Sequence, residues 1–271
     1  MSMFCYQCQE AAFNTGCTKR GVCGKADVTA NLQDDLVYSV KKLCAVLDEA
    51  GKRTDVSNEI GEDIVEALFM TITNANFDDD ALKRMKTHID TLTRKSAAEY
   101  TVSPVPAVKK PGVLAIENED IRSLNELLIY GLKGMAAYAH HAAVLGFEDK
   151  ELYGFFIEAL ALTLKMNDAD TLTQYVLKCG EHAVKTMALL DRANTSTYGN
   201  PEITEVTIGT GSRPGILVSG HDLRDMKELL EQTKDAGVDI YTHSEMLPAH
   251  YYPKLKKYDH LVGNYGGAWQ K

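Results

Sequence analysis

The sequence predicts a mainly α protein, with two three-helix bundles followed by the beginning of a parallel α/β domain. Three observations carry that reading. Apolar residues recur at helical spacing in six consecutive windows between residues 31 and 195. Three prolines between Thr101 and Pro111 divide those windows into two sets of three. Beyond residue 214 the pattern changes to strand, helix, strand, the opening of a doubly wound, Rossmann-like sheet.

The first helix is expected from Asp34 to Asp48, where Leu36, Val37, Val40, Leu43, Cys44 and Leu47 fall on one face. Asp34 and Asp35 suit its N-terminus and Gly51 its end. A second runs from Ser57 to Asn74 with Ile60, Ile64, Leu68 and Ile72 at four-residue steps, and a third from Asp79 to Tyr100. After the proline-rich linker come helices over Asp120–Leu145, Asp149–Lys165 and Asn167–Arg192. Thr195 to Pro214 is rich in Thr, Gly and Pro and marks a boundary. Gly215–Ser219 is a short apolar run, expected to be a strand covered on both faces. A helix from Asp222, its N-cap, to Lys234 and a strand over Val238–Tyr241 complete the unit. The expected organisation is a Cys-rich segment at 1–30, a helical domain at 31–213 and an incomplete α/β domain at 214–271. Only 57 residues follow Pro214, fewer than such a sheet needs, so the sheet is expected to require a further partner segment.

Composition narrows the function. The 271 residues are 45% hydrophobic and 25% charged, the ordinary globular range. The net charge of −9, with no Lys/Arg-rich run, argues against nucleic acid as a partner. No apolar stretch approaches the roughly 18–20 residues of a membrane helix, and the N-terminus lacks the pattern of a secretory signal. A cytoplasmic location is expected. Clustered cysteines in that setting favour metal over disulfides.

Those cysteines are Cys5-x2-Cys8-x8-Cys17-x5-Cys23. Four thiolates in so short a stretch can wrap one iron–sulfur cluster, and Gly16, Gly21 and Gly24 let the backbone bend around it. A four-cysteine zinc site is the competing reading, although zinc ribbons pair two C-x2-C units and only the first pair here has that spacing. A disulfide or free-thiol group is the third. Cys44 and Cys179 each continue an apolar helical stripe and read as small core residues. His140-His141 reads as a packed helical pair. The run Gly263-Asn264-Tyr265-Gly266-Gly267 matches no phosphate-binding loop.

A second constellation follows from topology. His221 comes just after the strand at 215–219, and Glu245 just after the strand ending near Tyr241. Ligands of parallel sheets gather beyond the C-terminal strand ends. Neighbouring strands about 4.8 Å apart would bring the two side chains to one edge, where they could share a metal. His243 and His250 are nearby candidates. The plainer reading is a helix-capping His and a solvated Glu.

The stretches Met3-Phe4-Cys5-Tyr6-Gln7-Cys8-Gln9-Glu10, Gly16-Cys17-Thr18 and Gly21-Val22-Cys23-Gly24-Lys25 closely resemble the start of the hybrid cluster protein family, also called hydroxylamine reductases. Ser219-Gly220-His221-Asp222-Leu223, His243-Ser244-Glu245-Met246-Leu247-Pro248-Ala249-His250 and Gly263-Asn264-Tyr265-Gly266-Gly267-Ala268-Trp269-Gln270 resemble further family motifs, in the family's order. The resemblance implies an iron–sulfur oxidoreductase that reduces hydroxylamine to ammonia, and also nitric oxide, using electrons from a redox donor. It implies a [4Fe-4S] cluster on Cys5, Cys8, Cys17 and Cys23. It also implies a hybrid iron–sulfur–oxygen cluster whose ligands include His221 and Glu245. Family members are about twice as long and supply further cysteines, another Glu and a Lys from the second half. The chain is therefore expected to be the N-terminal half of such a protein. The hybrid cluster is expected only at full length, with no turnover by this chain alone. The alternatives are a non-catalytic [4Fe-4S] electron-transfer or structural module, and a zinc-stapled helical binding module.

Overall fold

The computed structural model describes residues 2–103, 111–165 and 168–268. Pro104 and Pro106 of the linker, the first residue of the Asn167 helix and the Trp269-Gln270 end of the last motif lie outside them. The chain forms two compact units, Met1–Ala143 with Glu148–Leu189, and Val144–Phe147 with Leu190–Lys271.

The first unit is helical. Its elements are α1 (Asp27–Glu49), α2 (Asn58–Phe69), α3 (Asp79–Tyr100), α4 (Glu119–Ala143), α5 (Lys150–Leu162) and most of α6 (Ala169–Tyr198). Several starts are set by side-chain caps. Ser57 accepts from the Ile60 N–H, Asp78 from those of Asp80 and Ala81, and Asp149 from that of Glu151. α1 packs on α3 and α5, and α2 packs on α4. α6 is tied to α5 by Tyr175 and Lys178, which both bond Glu158, and by His182 stacked on Phe155 at 4.0 Å. Leu36, Val40, Leu43, Leu68, Leu132, Phe156 and Leu160 form a core closed to solvent. Cys44 and Cys179 belong to it; burial raises both thiol pKa values, that of Cys179 to about 11.

Three helix bounds differ from the sequence expectation by more than a turn. α1 begins at Asp27, two turns before Asp34, because its inner face also buries Thr29 and Gln33, which interrupt the apolar pattern. α2 stops at Phe69 rather than Asn74, in tight turns closed by the Thr71 hydroxyl on the Leu68 carbonyl. α6 continues past Arg192 to Tyr198 and ends where Gly199 takes φ +91°.

The second unit holds a three-stranded parallel sheet in the order β1 (Gly215–Ser219), β2 (Asp239–His243), β3 (Leu261–Tyr265). Helix α7 (Leu223–Thr233) follows β1 and is capped by Asp222, whose carboxylate accepts from the N–H groups of Arg224 and Asp225. Met226 and Leu230 of α7 pack with Tyr198, Ile240, Met246, Leu255 and Leu261 in the unit's own core. β3 takes in Gly263, Asn264 and Tyr265 of the glycine-rich run that matched no phosphate-binding loop. Gly263 there sits against the backbone of Thr207, whose carbonyl accepts from the Asn264 N–H at 2.9 Å. β1 is not covered on both faces among the described residues: Leu217 is 57% exposed and Ile216 38%. Among the described residues no helix is long and apolar enough to cross a membrane.

Candidate functional site

The cysteine segment is held by its own backbone. Cys5 and Cys17 exchange two backbone bonds, Cys5 N–H to Cys17 O at 3.0 Å and Cys17 N–H to Cys5 O at 2.8 Å. Between them the chain makes a 3₁₀ turn at Ala12–Asn14, and Gly16 returns it at φ +139° with the Phe4 ring occupying the place a Cβ would take. Any side chain at Gly16 would meet that ring, which is why glycine precedes Cys17. The Gly21–Lys25 turn, closed by Gly21 N–H to Lys25 O at 2.8 Å, presents Cys23. Met3, Cys17 and Ala30 form a small apolar floor.

Cys5, Cys8, Cys17 and Cys23 all line one small pocket, and all four are free thiols. The backbone N–H of Ala12 points at Cys17 Sγ, 3.5 Å away. Lys25, 1% exposed, brings its ammonium to 4.0 Å from Cys5 Sγ and is held by Gln33 Oε1 at 2.7 Å and by the Thr73 carbonyl. A thiolate-bound metal group carries negative charge, and an N–H donor with a buried cation is what such charge requires. The donor set therefore fits one. Among the described residues no three His, Cys, Asp or Glu side chains converge as a single-ion site. The thiols share a pocket wall rather than a point.

Lys25, Gln7 and Lys133 escaped the sequence reading. Gln7 lies between Cys5 and Cys8, and its Oε1 accepts from the Thr73 N–H at 3.2 Å and from Lys133 Nζ at 3.3 Å. These bonds tie the segment to the end of α2 and to α4. The only local signal was an amide between two ligand-type cysteines.

In the second unit, β1 pairs with β2 so that Ser219 faces His243. His221 and Glu245 leave the two strands at the same C-terminal edge, with Nδ1 and Oε2 3.7 Å apart and both side chains half-exposed. Glycine at 220, with φ +143°, and Ser244, with φ +53°, turn the chain there. The other two histidines have different partners. His243 Nδ1 bonds the Ser219 hydroxyl at 2.9 Å, and buried His250 bonds Thr242 Oγ1 at 2.9 Å, its pKa lowered by burial.

Four thiols on one pocket in a helical scaffold, with a His–carboxylate pair at a parallel strand edge, have the build of a metal-dependent protein. The chain belongs to the Prismane/CO dehydrogenase family, whose profile matches residues 3–271. It is 55% identical to a hydroxylamine reductase of Parabacteroides distasonis over 99% of this chain and 53% of that protein. It is 51% identical to one of Methanocaldococcus jannaschii over 98% of this chain and 52% of that protein. The chain thus spans about half the length of the curated relatives it matches. A nickel-free carbon monoxide dehydrogenase from Thermococcus sp. AM4 aligns at TM-score 0.32 and 14% identity, over 98% of this chain and 43% of the other.

Proposed function

We propose that this chain carries the electron-entry site and part of the reaction centre of an iron–sulfur oxidoreductase that reduces hydroxylamine to ammonia, with nitric oxide as a second substrate. The observation that carries the reading is the single pocket lined by all four N-terminal cysteines, in a chain at least half identical to hydroxylamine reductases. Cys5, Cys8, Cys17 and Cys23 would hold a [4Fe-4S] cluster. His221 and Glu245 would hold one side of a hybrid iron–sulfur–oxygen cluster, completed by residues from the length of the relatives that this chain does not span. Residues 1–30, 31–213 and 214–271 would then serve as cluster segment, helical scaffold and partial α/β domain. The location that suits such a cysteine-bound cluster is a reducing cytoplasm.

When bound, the clusters supply one-electron transfer and a site for cleaving the N–O bond. The overall reaction takes hydroxylamine, two electrons from a redox donor and two protons to ammonia and water. Lys25 stands as the buried cation beside Cys5, and the Ala12 N–H donates to Cys17 Sγ. His221 offers a ring nitrogen and Glu245 an exposed carboxylate able to bind and release.

The first test is iron and acid-labile sulfide per chain on anaerobically prepared protein, with EPR on the same sample. About four irons and a cubane signal support the cluster segment. No iron after anaerobic reconstitution overturns it, and a colourless zinc protein would replace it by a structural zinc module. In the full-length protein, Glu245→Gln should depress hydroxylamine turnover while leaving the N-terminal cluster absorption intact. Unchanged turnover would remove Glu245 from the site.

A further inference from the structure

The two longer loops of the cysteine segment each carry a large apolar side chain out into solvent. Phe13, between Cys8 and Cys17, is 94% exposed, and Val22, between Cys17 and Cys23, is 61% exposed. Both belong to the surroundings of the thiol pocket. Val22 lines it, and Phe13 directly follows Ala12, whose N–H meets Cys17 Sγ at 3.5 Å. Cys8 and Cys23 are themselves exposed, so a group held on the four thiols would have an edge near the surface.

Packing accounts for neither side chain, and at Phe13 the backbone is strained as well. Phe13 has left-handed dihedrals, φ +57° and ψ +20°, and Asn14 follows at φ +56°. Asn tolerates that region, whereas a bulky aromatic residue there is costly. The turn is held by Asn14 N–H to Ala11 O at 3.0 Å and Thr15 N–H to Ala12 O at 3.1 Å, bonds that use none of the Phe13 ring. A ring so exposed gains almost no burial to offset the strain. Strain kept without a packing gain points to function.

Charge gives the second observation. Residues 2–26 carry Lys19, Arg20 and Lys25 against Glu10 alone, in a chain whose net charge is −9. Lys25 is buried beside Cys5, which leaves Lys19 and Arg20, both exposed, for the surface. Arg20 Nε donates to the Gly24 carbonyl at 3.3 Å and so stays beside the turn that presents Cys23. Glu10 is the one exposed acid of the segment. Exposed apolar side chains with a polar, mainly cationic rim have the build of a protein docking site, and so small a patch suits a short-lived complex.

Taking the four cysteines as a cluster site, we propose that Phe13 and Val22, with Lys19 and Arg20, dock a small acidic redox protein that delivers single electrons to that cluster. One electron leaves the partner's reduced centre and enters the cluster; no bond forms or breaks and no proton moves. The apolar pair fixes the docked geometry, and the cations raise the rate of encounter.

The test uses the anaerobically reconstituted chain and a reduced bacterial two-cluster ferredoxin as the probe. Dithionite serves as a donor too small to need a docking surface. Stopped-flow bleaching of the cluster reads both donors. Phe13→Ser should slow reduction by ferredoxin at least tenfold and leave reduction by dithionite unchanged. Lys19→Glu should slow it at least fivefold at low salt and flatten its salt dependence. Phe13→Gly should show the same loss with a melting temperature no lower than the parent's, because glycine accepts the left-handed backbone. A clear drop in melting temperature would make the ring a structural residue and overturn the proposal. Equal ferredoxin rates in the parent and Phe13→Ser overturn it too, as does a parent that dithionite bleaches and ferredoxin does not. Isothermal titration with oxidised ferredoxin reads docking without electron transfer. Saturable binding, weakened at least fivefold by Phe13→Ser, is expected, and equal binding counts against the proposal in the same way. A chain that takes up no iron would overturn the metal reading and this proposal together, whereas an iron-loaded chain with equal rates overturns this proposal alone.

Discussion

The two units solve the problem of burial differently. In the helical unit α1, α2 and α5 bury their apolar faces against other helices of the same unit, and Leu36, Ile64, Leu82 and Phe156 have essentially no contact with solvent. In the sheet unit β2 is well covered, whereas β1 exposes Leu217 and Ile216, and the preceding segment leaves Ile203 and Ile208 almost fully exposed. Parallel sheets are ordinarily covered on both faces, because their crossover helices lie there. A bare apolar edge strand also invites pairing with another chain. The helical unit closes its core with its own residues, although α6 leaves Leu177, Val184 and Met187 exposed, whereas in the sheet unit a strand itself, β1, stays open to solvent.

The sharpest way to break this comparison is to mutate equivalent apolar residues in both units. Phe156→Ala in α5 should cost ~3–5 kcal/mol, because the ring is buried and the surrounding helices cannot collapse onto the space. Leu217→Ser in β1 should change stability by no more than ~0.5 kcal/mol and should reduce aggregation. Denaturant titration and light scattering read the two. If Leu217→Ser were as damaging as Phe156→Ala, the sheet face would be covered in solution and the contrast would be wrong.

Lys25→Met tests how far the cysteine segment depends on the helical unit. The change keeps the buried stem but leaves Gln33 Oε1 and the Thr73 carbonyl without their donor. The expected loss is ~1–3 kcal/mol, with earlier proteolytic cleavage inside residues 2–26. Unaltered protease resistance would mean that the Cys5–Cys17 backbone pair and the Gln7 bonds hold the segment without Lys25.

Much of this was legible in the sequence, and the illegible parts have physical causes. The clustered cysteines located the thiol pocket, and the Cys5–Cys17 backbone pairing is what folds them onto one wall. The His221–Glu245 edge followed from strand order, since a parallel β1–β2 pair exports both loops on one side. The start of α1 was hidden because Asp34 and Asp35 imitate the acids of a first turn, whereas Asp34 faces an internal cavity. β3 was hidden because Leu-Val-Gly-Asn-Tyr is short and carries two turn-type residues. Gln7 and Lys133 meet across 126 positions, a contact that no local pattern announces.

Asp34 gives the next test. Its carboxyl has a pKa pushed up to about 7 by burial, against the lowering pull of Lys133 and Lys25 and with Glu126 and Asp35 adding to the rise. The unfolded chain releases that proton near pH 4. Between about pH 4 and 7 the folded state therefore holds more protons, and the contribution of Asp34 to stability falls as pH rises through that window. Asp34→Asn removes the effect. The variant should match the parent near pH 4 and exceed it by ~2 kcal/mol at pH 8, taking about half of 1.36 kcal/mol per unit because the group keeps some solvent. Melting curves across that range check it, and a difference independent of pH would mean that the carboxyl is ionised throughout.

The smallest effect belongs to the strand edge. Ser219 and His243 face each other in the β1–β2 register and share a 2.9 Å bond at an exposed position. Ser219→Ala should cost well under ~1 kcal/mol, because water replaces the hydroxyl. Its more telling readout is the histidine. With Nδ1 released, the His243 ring loses the bond that fixes its tautomer, while it still fills the space that a side chain at Gly266 would need. Nitrogen-15 NMR of the ring should show one tautomer in the parent chain and a mixture in the variant. A single tautomer in both would mean that Gly266 and the neighbouring backbone already set the ring. In that case the edge around His221 and Glu245 would be pre-arranged by the sheet itself rather than by side-chain bonds, making it as self-sufficient as the helical unit despite the bare face of β1.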